Sequence, residues 1–353
     1  MNMTSSITEH IINWYSNHQR DLPWRKTRNP YFIWVSEVML QQTQVETVIP
    51  YYERFLSRFP TIEALARSSL REILKVWENM GYYSRAQNLY TTAKIISEQY
   101  DGQIPNTMEA LECLPGVGHY TASAILCFAF GQQVPTVDGN VRRVLCRLYG
   151  IKAIMDQTRT RKQLLDIATK LVPKKRPSHF NQGLMDLGAI VCTPRKPSCH
   201  LCPLSKNCQA LKLGLQDTLP NRRKRGPLPH KEMTAGIITD AQRRLLIVQR
   251  AMKGLLGGLW KFPGGERKPD ETLKEALKRT VREELGIGIR VKEGITSVNH
   301  AYTHFRITLY AFRCVRQGGE PKAIGCTHWR WVKPWGLRNF PFSKADRKII
   351  KAI

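Results

Sequence analysis

Two carboxylates and one group of four cysteines carry the chemistry of which this sequence is capable. Glu37 stands in the apolar run IWVSEVMLQQTQV. Read as a helix, this run places Ile33, Trp34 and Leu40 on the same face as Glu37. A carboxylate walled by Trp, Ile and Leu loses hydration. Desolvation raises its pKa, and a raised Glu is what a general acid needs near neutral pH. The ordinary alternative is a Glu whose head group reaches past its neighbours into water.

Asp138 opens the segment DGNVRRVLCRL, whose apolar spacing at Val141, Val144, Leu145 and Leu148 predicts a helix. Asp in that place is an N-cap. The same N–H donors and the helix dipole would lower its pKa, so Asp138 would stay ionised while Glu37 holds a proton. Two carboxyl groups with pKa values pushed apart can cleave a glycosidic bond through an oxocarbenium-like state. Cys192, Cys199, Cys202 and Cys208 follow the spacing C-x6-C-x2-C-x5-C. Four thiolates in one loop can hold a [4Fe–4S] cluster or a zinc ion. Four-cysteine zinc sites usually pair two C-x2-C knuckles, and only one is present, so the spacing favours iron–sulfur. The other five cysteines, Cys113, Cys127, Cys146, Cys314 and Cys326, are expected as core or partly buried packing residues.

These groups need elements to hold them. Up to about residue 215 the chain reads as helices, with amphipathic stretches such as IEALARSSLREILKVWENM between short punctuators. One punctuator, LPGVGHY, places Gly116 and Gly118 in a tight turn before a new helix. The two glycines permit positive φ, and the turn aims backbone N–H groups outward where a phosphate can be held. This predicts a DNA-clamping helix–hairpin–helix at about 110–130. Residues 216–232, with LPNRRKRGPLPHK, read as a basic, proline-bearing linker. From 233 to 353 the pattern changes to strands (AGIITD, RRLLIVQR, HFRITLYAFRCV, HWRWV) and the helix ETLKEALKRTVREEL. The expected architecture is therefore multidomain: an all-α domain over 1–215, then an α/β domain.

The 353 residues carry 55 Lys and Arg against 28 Asp and Glu, a formal net charge of +27. Residues 1–215 hold 26 basic and 16 acidic side chains, residues 233–353 hold 24 and 10. Both parts are basic, as expected for a polyanionic partner such as nucleic acid. No apolar run is long enough to span a membrane, and the first residues lack signal-peptide features. A cytoplasmic, nucleoid-associated monomer with reduced cysteines is expected.

LPGVG, then VDGNVRRV, then the four-cysteine loop at 192–208, in that order, resemble the endonuclease III superfamily of helix–hairpin–helix DNA glycosylases. LPWR at Leu22, EVMLQQTQV at Glu37 and GYYSRAQNL at Gly81 resemble its adenine DNA glycosylase branch, MutY. The resemblance implies base excision repair of double-stranded DNA carrying A·8-oxoG or A·G mispairs, with a [4Fe–4S] cluster as cofactor. It implies that Glu37 protonates adenine at N7, that Asp138 stabilises or transiently bonds the sugar cation, and that Asn140 supports Asp138 and a water. Tyr120 takes the position of the Schiff-base lysine of bifunctional relatives, which implies a monofunctional enzyme. Arg20, Trp24, Leu40 and Gln182 match positions that line the adenine pocket. Gln42, Thr43 and Tyr82 match residues that probe the opposite strand and wedge the duplex.

The second part, GGLWKFPGGERKPDETLKEALKRTVREELGIGI, resembles the Nudix signature. It departs at Thr280, where the pattern has a magnesium-binding Glu, so metal-dependent pyrophosphate hydrolysis is not expected. In the glycosylase branch this Nudix-like domain recognises 8-oxoguanine through an aromatic–hydroxyl–His loop, matched here by Tyr302, Thr303 and His304. Tyr replaces the more usual Phe and Thr replaces Ser. Rival readings are a related glycosylase acting on thymine in T·G, a Nudix pyrophosphatase tethered to DNA, and a cluster-bearing binding module without catalysis. The adenine-pocket match, Thr280, and the presence of both Glu37 and Asp138 argue against them in turn.

Overall fold

A computed structural model of the protein describes residues 3–223 and 226–353; Lys224 and Arg225 of the expected linker lie outside the described residues. The chain forms two compact units. One holds the described residues up to Ala66 and from Thr91 to the basic linker; the other holds Arg67–Tyr90 with Gly226–Ile353.

The first unit is helical. Its elements include α1 (Met3–His18), α2 (Pro30–Leu40), α3 (His119–Phe128), α4 (Gly139–Leu148) and α5 (Pro177–Asp186). Asn29 starts α2 by accepting the Tyr31 and Phe32 N–H groups, with Pro30 at the first helical position. Every residue of α2 from Ile33 to Met39 is buried. The helix is apolar all round because it is a core helix, which is why Glu37 cannot reach water along it. A cluster of Val144, Leu145, Leu148, Leu164, Phe180 and Leu184 packs α4 and α5 together with Ile7 and Ile11 of α1. The spacing of small residues matters at this junction: a Cβ on Gly183 would stand 2.8 Å from an Ile11 methyl. After α5 the backbone widens into a π-turn, Leu187–Val191, which delivers Cys192.

The predicted stretch IEALARSSLREILKVWENM is two helices, Ile62–Arg67 and Leu70–Val76. Ser69 and Glu72 form a capping box that starts the second helix, so local capping overrides the continuous apolar spacing.

The second unit is α/β. Strands β1 (His230–Ile238), β4 (Gly288–Ala301) and β5 (Arg306–Gly318) form one sheet in the order β1-β5-β4. Strands β2 (Leu245–Gln249), β3 (Trp260–Lys261) and β6 (His328–Val332) form another in the order β3-β2-β6. β1 runs parallel to β5, and β4 and β5 are an antiparallel hairpin with bulges. Helix α6 (Leu273–Leu285) begins with a Thr272–Glu275 capping box and stops at Gly286, whose φ of 70° suits glycine. Its face Leu277, Val281 and Leu285 packs on Ile238, Leu246 and Val248. A last helix, α7 (Lys344–Ile350), is capped by Ser343.

Candidate active site and cluster loop

A cavity of about 1090 Å³ opens in the helical unit. Glu37 from α2, Tyr120 from the first turn of α3, and Asp138 and Asn140 from the start of α4 all line it. Arg20, Trp24, Leu40, Gln42, Thr43, Gln182 and Gly118 line the same cavity. Four helices, α2 to α5, and the segments that carry Arg20 and Trp24 and Gln42 and Thr43 thus bring together residues that are far apart in the chain.

Glu37 is 5% exposed, and one of its carboxylate oxygens has no hydrogen-bond partner. Burial pushes its carboxyl up to about 7; the hydrogen bond to Tyr120 and the charge of Arg25 oppose this, and the charge of Asp138 adds to it. The desolvation inferred from Ile33, Trp34 and Leu40 is therefore present. Tyr120 is raised well above the ordinary phenol value by burial and by the two neighbouring carboxyls, so it stays a neutral hydrogen-bonding group.

Asp138 caps α4 as expected: its Oδ1 accepts the Val141 N–H at 2.7 Å. The expected lowering of its pKa does not occur. Burial in the cavity wall raises it, and this outweighs the Val141 and Asn140 N–H groups and the charges of Arg143 and Arg142, which lower it. Only the cap is visible in the chain; the desolvation comes from the assembled cavity. Asn140 donates its amide to Asp138 Oδ2 at 3.2 Å, and Arg143 donates to Asn140 Oδ1 at 2.9 Å.

The predicted pocket residues divide by role. Trp24 is buried and packs edge-on against Tyr52, 5.4 Å between centroids. Gln182 accepts the Tyr15 hydroxyl and donates to Ser178. Arg20 is held by Asp186, at 2.7 Å from Nε. Asp186 was missed: it is fully buried and also binds Arg25 at 2.6 Å. Burial pushes the Asp186 carboxyl up, but Arg25 and Arg20 together hold it below the usual carboxylate range. The adjacent basic residues in LPWRK were a signal; the partner, 161 positions on, was not.

In the hairpin before α3, only Gly116 takes a positive φ (77°), while Gly118 has φ −88° and is the N-cap of α3 with no side-chain cap bond. Gly118 thus leaves the first N–H groups of α3 without a capping side chain. Cys113, expected as a core or partly buried residue, is exposed. Cys127, Cys146 and Cys314 are buried and Cys326 is half-buried.

Cys192, Cys199, Cys202 and Cys208 line one small cavity of about 30 Å³. No three His, Cys, Asp or Glu side chains among the described residues converge as ligands of a single metal ion. A sulfur donor set around a common void fits a polynuclear cluster, whose iron charge would offset the repulsion among thiolates. That repulsion, after burial, raises the Cys202 thiol to about 12. Two arginines missed in the sequence brace the loop. Buried Arg147 donates to the Thr193 carbonyl at 2.7 Å and to Cys192 Sγ at 3.3 Å. Arg143 donates to the Cys192 carbonyl at 2.8 Å, the same side chain that holds Asn140. Both sit in VRRVLCRL at i and i+4, one helix face.

In the second unit Tyr302, Thr303 and His304 form the tight loop joining β4 and β5. Thr303 and His304 are exposed and Tyr302 is half-buried. Tyr82, expected to wedge the duplex, belongs to this unit; its hydroxyl lies 2.6 Å from Thr303 Oγ1. The Nudix-like box does not fit a magnesium ion. Thr280 is buried and gives its hydroxyl to the Ala276 carbonyl. Glu284 is bound by Lys261 at 2.9 Å, and Arg279 binds both Glu271 and Glu283.

Three regions of the chain match known families. Residues 35–170 match the HhH-GPD superfamily of base excision DNA repair proteins, 192–208 the iron–sulfur binding domain of endonuclease III, and 234–352 the NUDIX domain. Among curated proteins, the adenine DNA glycosylase of Rattus norvegicus is 34% identical over 98% of this chain and 78% of its own length. The chain belongs to the adenine DNA glycosylase family. The human member is also 34% identical, covering 97% of this chain and 72% of that protein. The member from Buchnera aphidicola (Schizaphis graminum) is 37% identical over 84% of each chain. A solved thermostable thymine-DNA glycosylase superposes with a TM-score of 0.56 at 34% identity, covering 60% of this chain and 97% of that one. An endonuclease III–DNA covalent intermediate shares the fold, with a TM-score of 0.53 at 24% identity, over 61% of this chain and all of the other. As a member of this adenine DNA glycosylase family the protein is a base excision repair enzyme, and its cofactor is a [4Fe–4S] cluster; the matched iron–sulfur binding region, 192–208, begins at Cys192 and ends at Cys208. No helix among the described residues is long and apolar enough to cross a membrane.

Proposed function

We propose that this adenine DNA glycosylase removes adenine paired with 8-oxoguanine or guanine, by hydrolysis and without cutting the strand. The single observation that carries the chemistry is Glu37: a buried carboxyl in the cavity lining, with one unpartnered oxygen and a pKa of about 7. Flipping the adenine out of the stack brings it to that cavity. Glu37 gives its proton to N7 of the base. The N9–C1′ bond then breaks with its electron pair going to the base, and the positive charge left at C1′ faces ionised Asp138. Water adds to C1′ and its proton returns to a carboxylate, leaving free adenine and an abasic sugar. Asn140 holds Asp138 through its amide.

No amine stands where Tyr120 does. A Schiff base with the sugar, and the strand cleavage that follows from one, therefore has no starting point. Tyr302, Thr303 and His304 are assigned to reading the base opposite the adenine, with two exposed polar side chains at the loop tip in support. Arg20, Trp24, Leu40 and Gln182 are assigned to the base pocket, and Gln42, Thr43 and Tyr82 to the duplex at the lesion.

The test is incubation with duplexes carrying A·8-oxoG, A·G, A·T and T·G. Abasic product is expected from the first two, with strand breaks only after alkali. Thymine release would favour the activity named for the thymine-DNA glycosylase structure instead, and cleavage without alkali would refute the monofunctional assignment. The rate should fall as pH rises through about 7, where Glu37 loses its proton, and fall again at low pH as Asp138 gains one.

A further inference from the structure

Tyr82, assigned above to the duplex at the lesion, has a backbone conformation that bulky residues avoid. Its φ is 47°, and Asn79 and Gly81 just before it have φ of 73° and 81°. A left-handed Tyr is strained and persists only where its surroundings fix it. Part of that fixing is internal to the turn. Trp77 Nε1 donates to the Gly81 carbonyl at 3.0 Å, and Arg85 donates to the Gly81 and Tyr82 carbonyls at 3.2 and 3.4 Å. The Asn79 N–H meets the Tyr83 hydroxyl at 3.0 Å.

These bonds shape the turn, but they do not place it. The segment Arg67–Tyr90 belongs to the second unit, and its placement there comes from bonds to distant parts of the chain. Gln87 donates to the Gly257 carbonyl at 2.8 Å. Glu78, whose side chain is 12% exposed, makes the charged contact. Its Oε1 accepts the Phe342 N–H at 3.0 Å and Arg347 Nε at 2.7 Å, from residues 264 and 269 positions on. Its Oε2 accepts Lys75 Nζ at 2.6 Å. Arg347, in α7, also lies over the Phe342 ring and donates to the Phe340 carbonyl at 2.6 Å. Charge-assisted bonds of this kind are short, directional and stronger than neutral ones. Four residues beyond Glu78, the Tyr82 hydroxyl lies 2.6 Å from Thr303 Oγ1.

We propose that Glu78 and Arg347 are positioning residues: they hold the Tyr82 turn against the recognition loop, so that Tyr82 and residues 302–304 meet the lesion as one body. This rests on the readings of Tyr82 and of residues 302–304 given above. It extends them to an ion pair that includes none of those residues. With the pair cut, the strained turn is free to relax, and Tyr82 and Thr303 lose their register.

The experiment uses the full-length, cluster-loaded protein and compares excision from A·8-oxoG and A·G duplexes. The ratio of the two kcat/KM values is the readout, because a general loss of folded enzyme lowers both rates and leaves their ratio unchanged. E78A and R347A should each reduce the preference for 8-oxoguanine by roughly three- to thirtyfold, between the weight of one lost hydrogen bond and that of a displacement of about 1 Å. The double variant should reduce it no further, since both changes cut one link. R347K, which keeps the charge, should recover part of the ratio that R347A loses. If E78A does not fold, R347A against R347K decides the matter. An unchanged ratio in R347A, or losses that multiply in the double variant, overturns the proposal. A wild type with no preference for 8-oxoguanine, or a T303A/H304A variant that keeps it, would instead overturn the underlying reading of the loop and the proposal with it. Those two controls are run first.

Discussion

The two units treat their acidic residues in opposite ways. In the helical unit Glu37 is buried beside a cavity, keeps one oxygen without a partner, and has no counter-ion strong enough to prevent its pKa from rising to about 7. In the Nudix-like unit every surviving carboxylate of the signature is tied down: Glu284 by buried Lys261, Glu271 and Glu283 by Arg279. The Arg279 bond to Glu271 holds that carboxyl at about 2. A carboxyl left in a dry wall without a cation can exchange a proton near neutral pH, and one locked in an ion pair cannot. The same residue type is therefore reactive equipment in one unit and structural bracing in the other, and the neighbours decide which.

The largest effect should come from Glu37→Gln. Removing a general acid costs roughly 10²–10⁴ in rate, so single-turnover adenine release should all but vanish while duplex binding persists. Stability should move the other way. The folded pKa of Glu37 is raised from 4.5 to about 7, so its favourable contribution is complete below 4.5 and is lost as pH rises through about 7. Denaturant melts of wild type and E37Q should coincide near pH 4.5 and separate above pH 7 in favour of E37Q. A variant that stays active, or that is less stable than wild type at pH 8, would place Glu37 with the bracing carboxylates.

The counterpart in the second unit is Lys261→Met. Lys261 and Glu284 are each about 10% exposed in their side chains, and the ammonium also meets the Gly264 carbonyl. Breaking such a pair on one side leaves a nearly buried carboxylate alone, at a cost of about 3 kcal/mol or more. A lowered melting midpoint is expected, and K261M/E284L should recover much of it. Equal midpoints for K261M and wild type would mean that the pair braces nothing.

How much of this contrast was legible in the sequence depends on the range of the interaction. Caps and periodicity act within a few residues, and they identified the Asp138 cap, a helix around Glu37 and the α6 helix with its apolar face. The four cysteines lie close in the chain and could be read as a metal loop. What could not be read needed a partner from far away. Asp186 is defined by Arg20 and Arg25, and Lys261 by Glu284. The direction of the Asp138 shift needed the cavity wall, which no single helix contains. Arg143 and Arg147 are defined by carbonyls of the cysteine loop, 49 and 46 positions on, which no local pattern supplies.

Gly188→Ala tests how closely the active-site carboxylate depends on what lies behind it. A Cβ there would stand 2.7 Å from the Asn140 Cβ and 3.1 Å from its backbone, so Asn140 must shift. The amide that holds Asp138 would shift with it. Displacement of this kind costs roughly ten- to a hundredfold in rate, with the iron–sulfur absorbance and the melting midpoint largely kept. Loss of the cluster together with activity would show that the glycine serves the loop and not the carboxylate.

The smallest effect should be that of magnesium, and its smallness is informative. A metal that bound the folded Nudix-like unit at a hundredth of its free concentration would stabilise it by about 2.7 kcal/mol. That is a shift readily seen in a thermal melt. Thr280 gives its hydroxyl to the backbone, and the carboxylates around it already carry Lys261 and Arg279, so a divalent ion would have to displace a buried ammonium or a guanidinium to enter. Millimolar magnesium should therefore leave the melting midpoint of the full-length protein unchanged, and should release no phosphate from nucleoside triphosphates. A magnesium-dependent midpoint that disappears in Glu284→Gln would show that the ion pair yields to the metal, and the line between working and bracing carboxylates would then have to be redrawn inside the second unit itself.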